Sequence, residues 1–236
     1  MLLCKRRYCK AYKSMSTAFK ISSFLETNSR VHEFEYEVMD MRRVGEKDIN
    51  LLSVLSEEEI RQLDSLKIEK NRIQWIAGRY AVKSALFKYK LQRAVLMDLS
   101  CIDVLKGEDS SPFIPQYQDI CVSITHSFPY CIAIVSNKKI GVDLEGISEP
   151  NESLIRYFYS TEEKNILENL KKTDEYCQRA MIFWTRKEAV SKLLKLGMRM
   201  DFRELNTSKN EMTIGNYYIY LKSYICGEFA LSIASE

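Results

Sequence analysis

Three short stretches of this 236-residue chain hold the side chains best suited to chemistry. In "KKIGVDLEGI" (138–147), Asp143 and Glu145 lie two positions apart in an otherwise apolar run. If that run is a strand, Ile140, Val142 and Leu144 face one way and Gly141, Asp143 and Glu145 the other. Two carboxylates that close repel each other unless water, a lysine or a bound cation relieves them. Hard oxygen donors with room for water or phosphate suit Mg²⁺, and carboxylate count alone does not separate Mg²⁺ from Mn²⁺. For an isolated D-x-E pair, a solvated edge strand is the plain alternative.

"FWTRKEAVSKLLKLG" (183–197) adds Glu188 and Lys192, which at i, i+4 share one helix face. That supplies a third carboxylate and an ammonium, or else an ordinary surface ion pair. "SITHS" (123–127) sets His126, one of two histidines, at the end of an apolar run and just ahead of Pro129. An imidazole there can donate to an anion or ligate a metal, and the acids nearby favour an oxygen-ligated ion.

Regular elements must bring these stretches together. "EKNRIQWIAGRYAVKSALFKYKL" (69–91) repeats apolar residues at helical intervals, with Arg72, Arg79 and Lys83 among its polar positions. "EYCQRAMIFWTRKEAVSKLLKLG" (175–197) predicts a second long helix stopping at Gly197 as its C′ residue, with Ala189, Leu193 and Leu196 on the buried side. Arg79, Ser84, Leu86 and Lys88 match Arg186, Ser191, Leu193 and Lys195 at a constant spacing of 107, a weak hint of an internal duplication. Ser56 followed by Glu59 is a capping box that opens a shorter helix, and residues 31–44 alternate as a first strand. Residues 106–119 collect Gly, Ser and Pro and predict a loop. The apolar runs at 120–125, 130–136 and 138–147 predict a three-stranded antiparallel meander, with the two acids on its third strand. Residues 1–30, rich in Lys, Ser and Tyr with weak periodicity, are set apart as an extension of unknown role, with an N-terminal strand as the alternative.

Composition narrows the class. Lys+Arg 35 against Asp+Glu 32 gives +3, so bulk charge makes no case for nucleic acid, and none is expected as a partner. The seven cysteines are scattered without a C-x-x-C pair, so neither a disulfide framework nor a zinc site is expected. No stretch approaches a membrane span or a signal-peptide core, and the expected setting is the cytoplasm.

Taken in order, "SITHS", "IGVDLEGI" and "FWTRKEAVSKLLKLG" resemble the signature segments of the 4′-phosphopantetheinyl transferases, in particular the two-half, monomeric, surfactin-synthetase-activating type. Asp143 follows His126 by 17 residues and precedes Glu188 by 45. The pattern W-[ST]-x-K-E-[AS]-x-x-K is met by Trp184, Thr185, Lys187, Glu188, Ala189 and Lys192.

The resemblance implies transfer of the 4′-phosphopantetheine group of coenzyme A to a serine of an apo carrier protein, releasing adenosine 3′,5′-bisphosphate. It implies an α+β fold of two similar subdomains (31–137 and 138–236), each a long helix on a small antiparallel sheet, with the active site in the cleft between them. By the same resemblance Asp143, Glu145 and Glu188 are the ligands of Mg²⁺, or of Mn²⁺ in its place. Glu188 is also the base, acting directly or through a water, and Lys192 contacts the phosphate under attack. Thr125, His126 and Pro112 fall at coenzyme A contacts, with Arg72 and Arg79 as candidates for its 3′-phosphate. The segment 153–160 falls where the family meets an acidic carrier protein, although packing of Ile155, Phe158 and Tyr159 accounts for the same pattern.

Two departures stand out. Ser110, Ser111 and Pro112 replace the usual Gly-Lys-Pro, and an expected arginine falls at Gln74. Two other readings stay open on sequence alone: a coenzyme A binding module without catalysis, and a Mg²⁺-dependent phosphate-ester hydrolase.

Overall fold

In the computed structural model, residues 2–91, 97–171, 173 and 175–236 are described, with side chains from Thr17 on except Met198. α1 (Leu2–His32) leads into β1 (Phe34–Asp40), the short α2 (Ile49–Leu52), α3 (Glu57–Ser65) and α4 (Glu69–Leu91). β2 (Leu105–Lys106) and β3 (Pro112–Phe113) form a small hairpin ahead of β4 (Cys121–Ser127) and β5 (Tyr130–Ser136). Then come β6 (Ile140–Gly146), α5 (Glu152–Phe158), α6 (Thr161–Leu170), α7 (Glu175–Leu194), β7 (Glu211–Ile214), β8 (Tyr217–Cys226) and β9 (Phe229–Ser235).

Local chemistry accounts for the helix ends. Ser56 accepts from the Glu59 amide while Glu59 accepts from the Ser56 amide, so α3 opens on the expected capping box. The same reciprocal pair recurs at Ser160 and Glu163 to open α6. α7 ends earlier than Gly197. Lys195 takes the left-handed conformation (φ 55°), its amide bonds the Lys192 carbonyl, and the Leu196 amide reaches back to Ser191. These bonds make a Schellman cap with a lysine at C′, and they leave Leu196 exposed rather than on the buried side.

Two antiparallel sheets, ordered β1-β5-β4 and β6-β9-β8-β7, carry the two long helices. α4 packs on β1 and β5, and α7 packs on β6 and β9. The run β1, α3, α4, β4, β5 is therefore repeated as β6, α6, α7, β8, β9, a pseudo-twofold pair of α+β units. The repeat is real, but its register differs from the spacing of 107. The structurally equivalent pairs are Ser56 and Ser160, Glu59 and Glu163, and Lys83 and Lys187, each 104 apart.

β4 and β5 form the expected hairpin, but β6 does not extend it into a meander. β6 pairs with β9, from Ile140 opposite Ser235 to Gly146 opposite Phe229. Strand partners distant in sequence leave no local signal, and adjacency along the chain is the wrong guide here. β6 still runs beside β4, joined by side chains rather than a backbone ladder. Ser123 Oγ accepts the Val142 amide at 3.0 Å and Thr125 Oγ1 accepts the Leu144 amide at 3.1 Å. Edge amides of one half are thus satisfied by hydroxyls of the other.

The two sheets also share a core. Ile132 and Ile134 of β5, Val142 and Leu144 of β6, and Leu231 and Ile233 of β9 form one buried cluster with Ile21 and Leu25 of α1. Residues 2–30 are helical, and the second half of this segment is built into the centre of the molecule rather than set apart. Among the described residues, no helix is long and apolar enough to cross a membrane.

Candidate active site

Strand alternation places Asp143 and Glu145 on the face of β6 toward α7, opposite the apolar face that enters the core. Gly141 shares the Asp143 face, and its bare Cα allows the α7 backbone to close in: a Cβ there would lie 1.9 Å from the Ala189 carbonyl oxygen. The room left by Gly141 is thus taken by the helix, not by a ligand. This close approach brings residues 49 apart into contact. Lys192 Nζ donates to Asp143 Oδ1 at 2.7 Å and to the Val142 carbonyl at 3.1 Å.

A cleft of about 630 Å³ opens over this point, and Asp143, Glu145, Glu188 and Lys192 line one end of it. Thr125, His126 and Ile124 come from β4, Pro112, Ser110 and Lys106 from the β2–β3 hairpin, and Gln74, Trp75 and Arg79 from α4. The cleft is therefore walled by both halves of the repeat. The hairpin lies in the region expected to be a loop, and its register sets Lys106 opposite Pro112.

Charge in the cleft is unbalanced. Burial, reinforced by the neighbouring charge of Asp143, pushes the Glu145 carboxyl up to about 7, with Lys192 opposing and Glu188 adding to the rise. Burial and Asp143 likewise raise Glu188, again against Lys192. Asp143 Oδ1 receives Lys192 and the Thr125 hydroxyl, the latter at 3.1 Å, but Asp143 Oδ2 is buried with no hydrogen-bond donor.

An orphaned carboxylate oxygen beside two acids held above their usual range fits an oxygen-ligated divalent cation. Among the described residues, no three acidic, histidine or cysteine side chains are already drawn together as a closed ligand set. Lys192 bonds Asp143 through Oδ1 and leaves Oδ2 open to a cation.

Of the residues singled out from sequence, Asp143, Glu145, Glu188, Lys192, Thr125, His126, Pro112 and Arg79 all line the cleft. Arg72 does not. Its guanidinium donates to the carbonyls of Leu63 (2.6 Å) and Leu66 (3.2 Å) and pairs with Glu46, which makes it a clamp on the end of α3. Gln74, two positions on, faces the cleft instead.

Arg79 lies over the Trp75 ring at 4.5 Å, and its buried Nε has no hydrogen-bond partner although Glu59 is 3.9 Å away. Thr125 has its hydroxyl bonded to β6 and Asp143, so it orients a carboxylate as well as facing the cleft. Trp184, the first residue of the W-[ST]-x-K-E-[AS]-x-x-K pattern, also lines the cleft, as do Trp75 and Lys106, which carry no local sequence signal that separates them from core or solvent residues. At the end of α5, Tyr159 is buried and Phe158 packs edge-to-face against Trp184 and Phe202, leaving Tyr157 exposed.

Residues 139–233 match the family model of the 4′-phosphopantetheinyl transferase superfamily, and residues 62–136 match that of the 4′-phosphopantetheinyl transferase N-terminal domain. Over 100 residues the chain is 31% identical to the holo-[acyl-carrier-protein] synthase of Mycoplasma mycoides subsp. mycoides SC, covering 42% of this chain and 86% of that protein. The chain belongs to the 4′-phosphopantetheinyl transferase superfamily.

Another relative from the superfamily, the holo-[acyl-carrier-protein] synthase of Onion yellows phytoplasma, is 29% identical over 115 residues, 44% of this chain and 89% of that one. Among solved structures, similarity extends to a holo-(acyl-carrier-protein) synthase from Bacillus anthracis in complex with CoA (3′,5′-ADP), at 21% identity and a TM-score of 0.37, covering 43% of this chain and 91% of that chain. Within this transferase, the two family matches fall on the two halves of the internal repeat, with β6 and α7 in the second.

Proposed function

We propose that this transferase moves the 4′-phosphopantetheine group of coenzyme A onto a serine hydroxyl of an apo acyl or peptidyl carrier protein, with Mg²⁺, acting as a monomer. The observation that carries the reading is the end of the cleft where Asp143 Oδ2 is buried without a donor, Glu145 and Glu188 are held above their usual range, and Lys192 is fixed 2.7 Å from Asp143.

Asp143, Glu145 and Glu188 would hold the cation, which when bound neutralises charge on the pyrophosphate of coenzyme A. Lys192 binds the phosphate under attack as a point charge. Glu188 takes the serine proton, directly or through a water. The serine oxygen then bonds to the phosphorus that carries pantetheine. The bond from that phosphorus to the bridging oxygen breaks, and adenosine 3′,5′-bisphosphate leaves with the electron pair. His126 and Arg79, both lining the cleft, are donors for the phosphates of coenzyme A, and Pro112 shapes the wall beside them.

The decisive experiment combines the protein, coenzyme A, Mg²⁺ and an apo carrier domain, and reads the carrier by intact mass. Expected is one added phosphopantetheine with release of adenosine 3′,5′-bisphosphate. No transfer to any of a panel of acyl, peptidyl and aryl carriers would overturn the proposal. Release of phosphate from small esters without a carrier would point to the hydrolase instead.

A further inference from the structure

Both halves of the repeat contain the same buried ion pair, and neither pair lines the cleft. Lys187 is fully buried, and its ammonium donates to Glu163 at 2.7 Å, to the Phe202 carbonyl at 2.8 Å and to the Leu205 carbonyl. Glu163 also accepts the Ser160 amide at 2.9 Å, and the Thr207 amide and hydroxyl at 2.8 and 2.6 Å. Lys83, equally buried, donates to Glu59 at 2.5 Å and to the carbonyls of Val54 (2.6 Å) and Leu99 (2.9 Å). Glu59 in turn accepts the Ser56 amide at 2.9 Å and the Val104 amide at 3.0 Å.

Each ammonium therefore has three acceptors, and each carboxylate ties a helix start to a distant backbone amide. Stability alone is a poor reason for such a pair, because two well-packed apolar residues in its place are often no less stable. What the pair supplies is geometry: two separate segments, a helix start and the stretch 202–207 or 99–104, are pinned to one turn of the long helix. On α7 that turn carries Glu188 next in sequence, with Lys192 one turn further. On α4, Arg79 precedes Lys83 by one turn and lies 3.9 Å from the same Glu59.

We propose that Lys187 and Lys83 are positioning residues of this transferase. Lys187 fixes α7 so that Glu188 and Lys192 meet Asp143, and Lys83 occupies Glu59 so that Arg79 is left to the cleft. The inference rests on the transferase reading above. It predicts opposite kinetic signatures for the two halves. Loss of the α7 pair disturbs the reacting groups and lowers kcat by more than it raises KM for coenzyme A. Loss of Lys83 frees Glu59 to capture Arg79, which raises KM for coenzyme A.

The test compares the full chain with Lys187→Met, Lys187→Met/Glu163→Gln and Lys83→Met. Thermal unfolding, calorimetric binding of coenzyme A and steady-state transfer to an apo acyl carrier protein are measured for each. The neutral double variant is expected to recover most of the thermal stability lost in Lys187→Met and to bind coenzyme A within about fivefold of wild type. Its kcat should stay roughly 10- to 100-fold down, the cost of a small misplacement of catalytic groups. Lys83→Met should weaken coenzyme A binding and raise KM by about fivefold or more, with kcat held within about twofold. If Lys187→Met does not fold, the double variant carries the test. Wild-type kcat in the double variant, or losses of kcat that simply follow stability across the set, would overturn the positioning role. Absence of transfer by the wild-type protein would instead overturn the transferase reading.

Discussion

Gly141 on β6 lies so close to α7 that a Cβ would sit 1.9 Å from the Ala189 carbonyl oxygen and 2.8 Å from the Leu193 amide. Both contacts are with helix backbone, which cannot turn aside as a side chain can. Lys192 reaches Asp143 because the two backbones meet here. Gly141→Ala should therefore push α7 off the sheet, lowering stability by at least about 2 kcal/mol and separating Lys192 from Asp143. Urea unfolding checks the first effect and carrier modification the second. An alanine variant with wild-type stability and activity would contradict the close approach.

Asp143 and Glu188 offer a cleaner chemical test, because neither lies in the apolar core. Asp143→Ala removes the oxygen with no donor and the partner of Lys192, and should abolish calorimetric Mg²⁺ binding while the protein stays folded. Glu188→Gln keeps the side chain's size but removes its charge and its ability to take a proton. Transfer should fall by roughly 10²- to 10⁴-fold, the usual range for losing a general base. Chelation of divalent metal should stop transfer in the wild type, and added Mg²⁺ should restore it.

Arg72 and Arg79 lie two turns apart on α4, and their neighbours predict opposite phenotypes. Arg79→Ala removes a cleft-lining guanidinium with an unbonded Nε, so KM for coenzyme A should rise with little change in stability. Arg72→Ala leaves the Leu63 and Leu66 carbonyls without their donor and should cost about 1–2 kcal/mol of stability, with KM for coenzyme A unchanged. A rise in KM for Arg72→Ala would return it to the binding residues.

What the sequence made legible was local. Apolar spacing located α4 and α7, Ser56 and Glu59 located the start of α3, and alternation put Asp143 and Glu145 on one face of a strand. Ser160 and Glu163 carry the same three-residue signal as Ser56 and Glu59, so the second capping box, and with it the true register of the repeat, could have been read in the same way. The pairing of β6 with β9 could not, because its residues are far apart in the chain and nothing local to either strand names its partner. Nor could the fate of Lys187 be read: a lysine beside a glutamate that is itself a candidate base suggests chemistry, and only the positions of Glu163, Phe202 and Leu205 reveal a buried anchor.

The segment 1–30 had too little periodicity to predict its role, yet Ile21 and Leu25 of α1 are fully buried against β5, β6 and β9, between the two sheets that flank the cleft. Each fills space where Ile132, Val142 and Leu231 also meet, and Asp143 follows Val142 directly on β6. Truncating either side chain leaves a cavity that the surrounding strands cannot easily close, so Ile21→Ala and Leu25→Ala should each cost about 2–5 kcal/mol. Neither residue touches the cleft, so enzyme that remains folded should keep its kcat, while its midpoint of thermal unfolding falls. Phe19, on the same helix but 75% exposed, supplies the control: Phe19→Ala should leave the midpoint close to that of the wild type. Equal stability for all three variants would mean that α1 contributes nothing to the core.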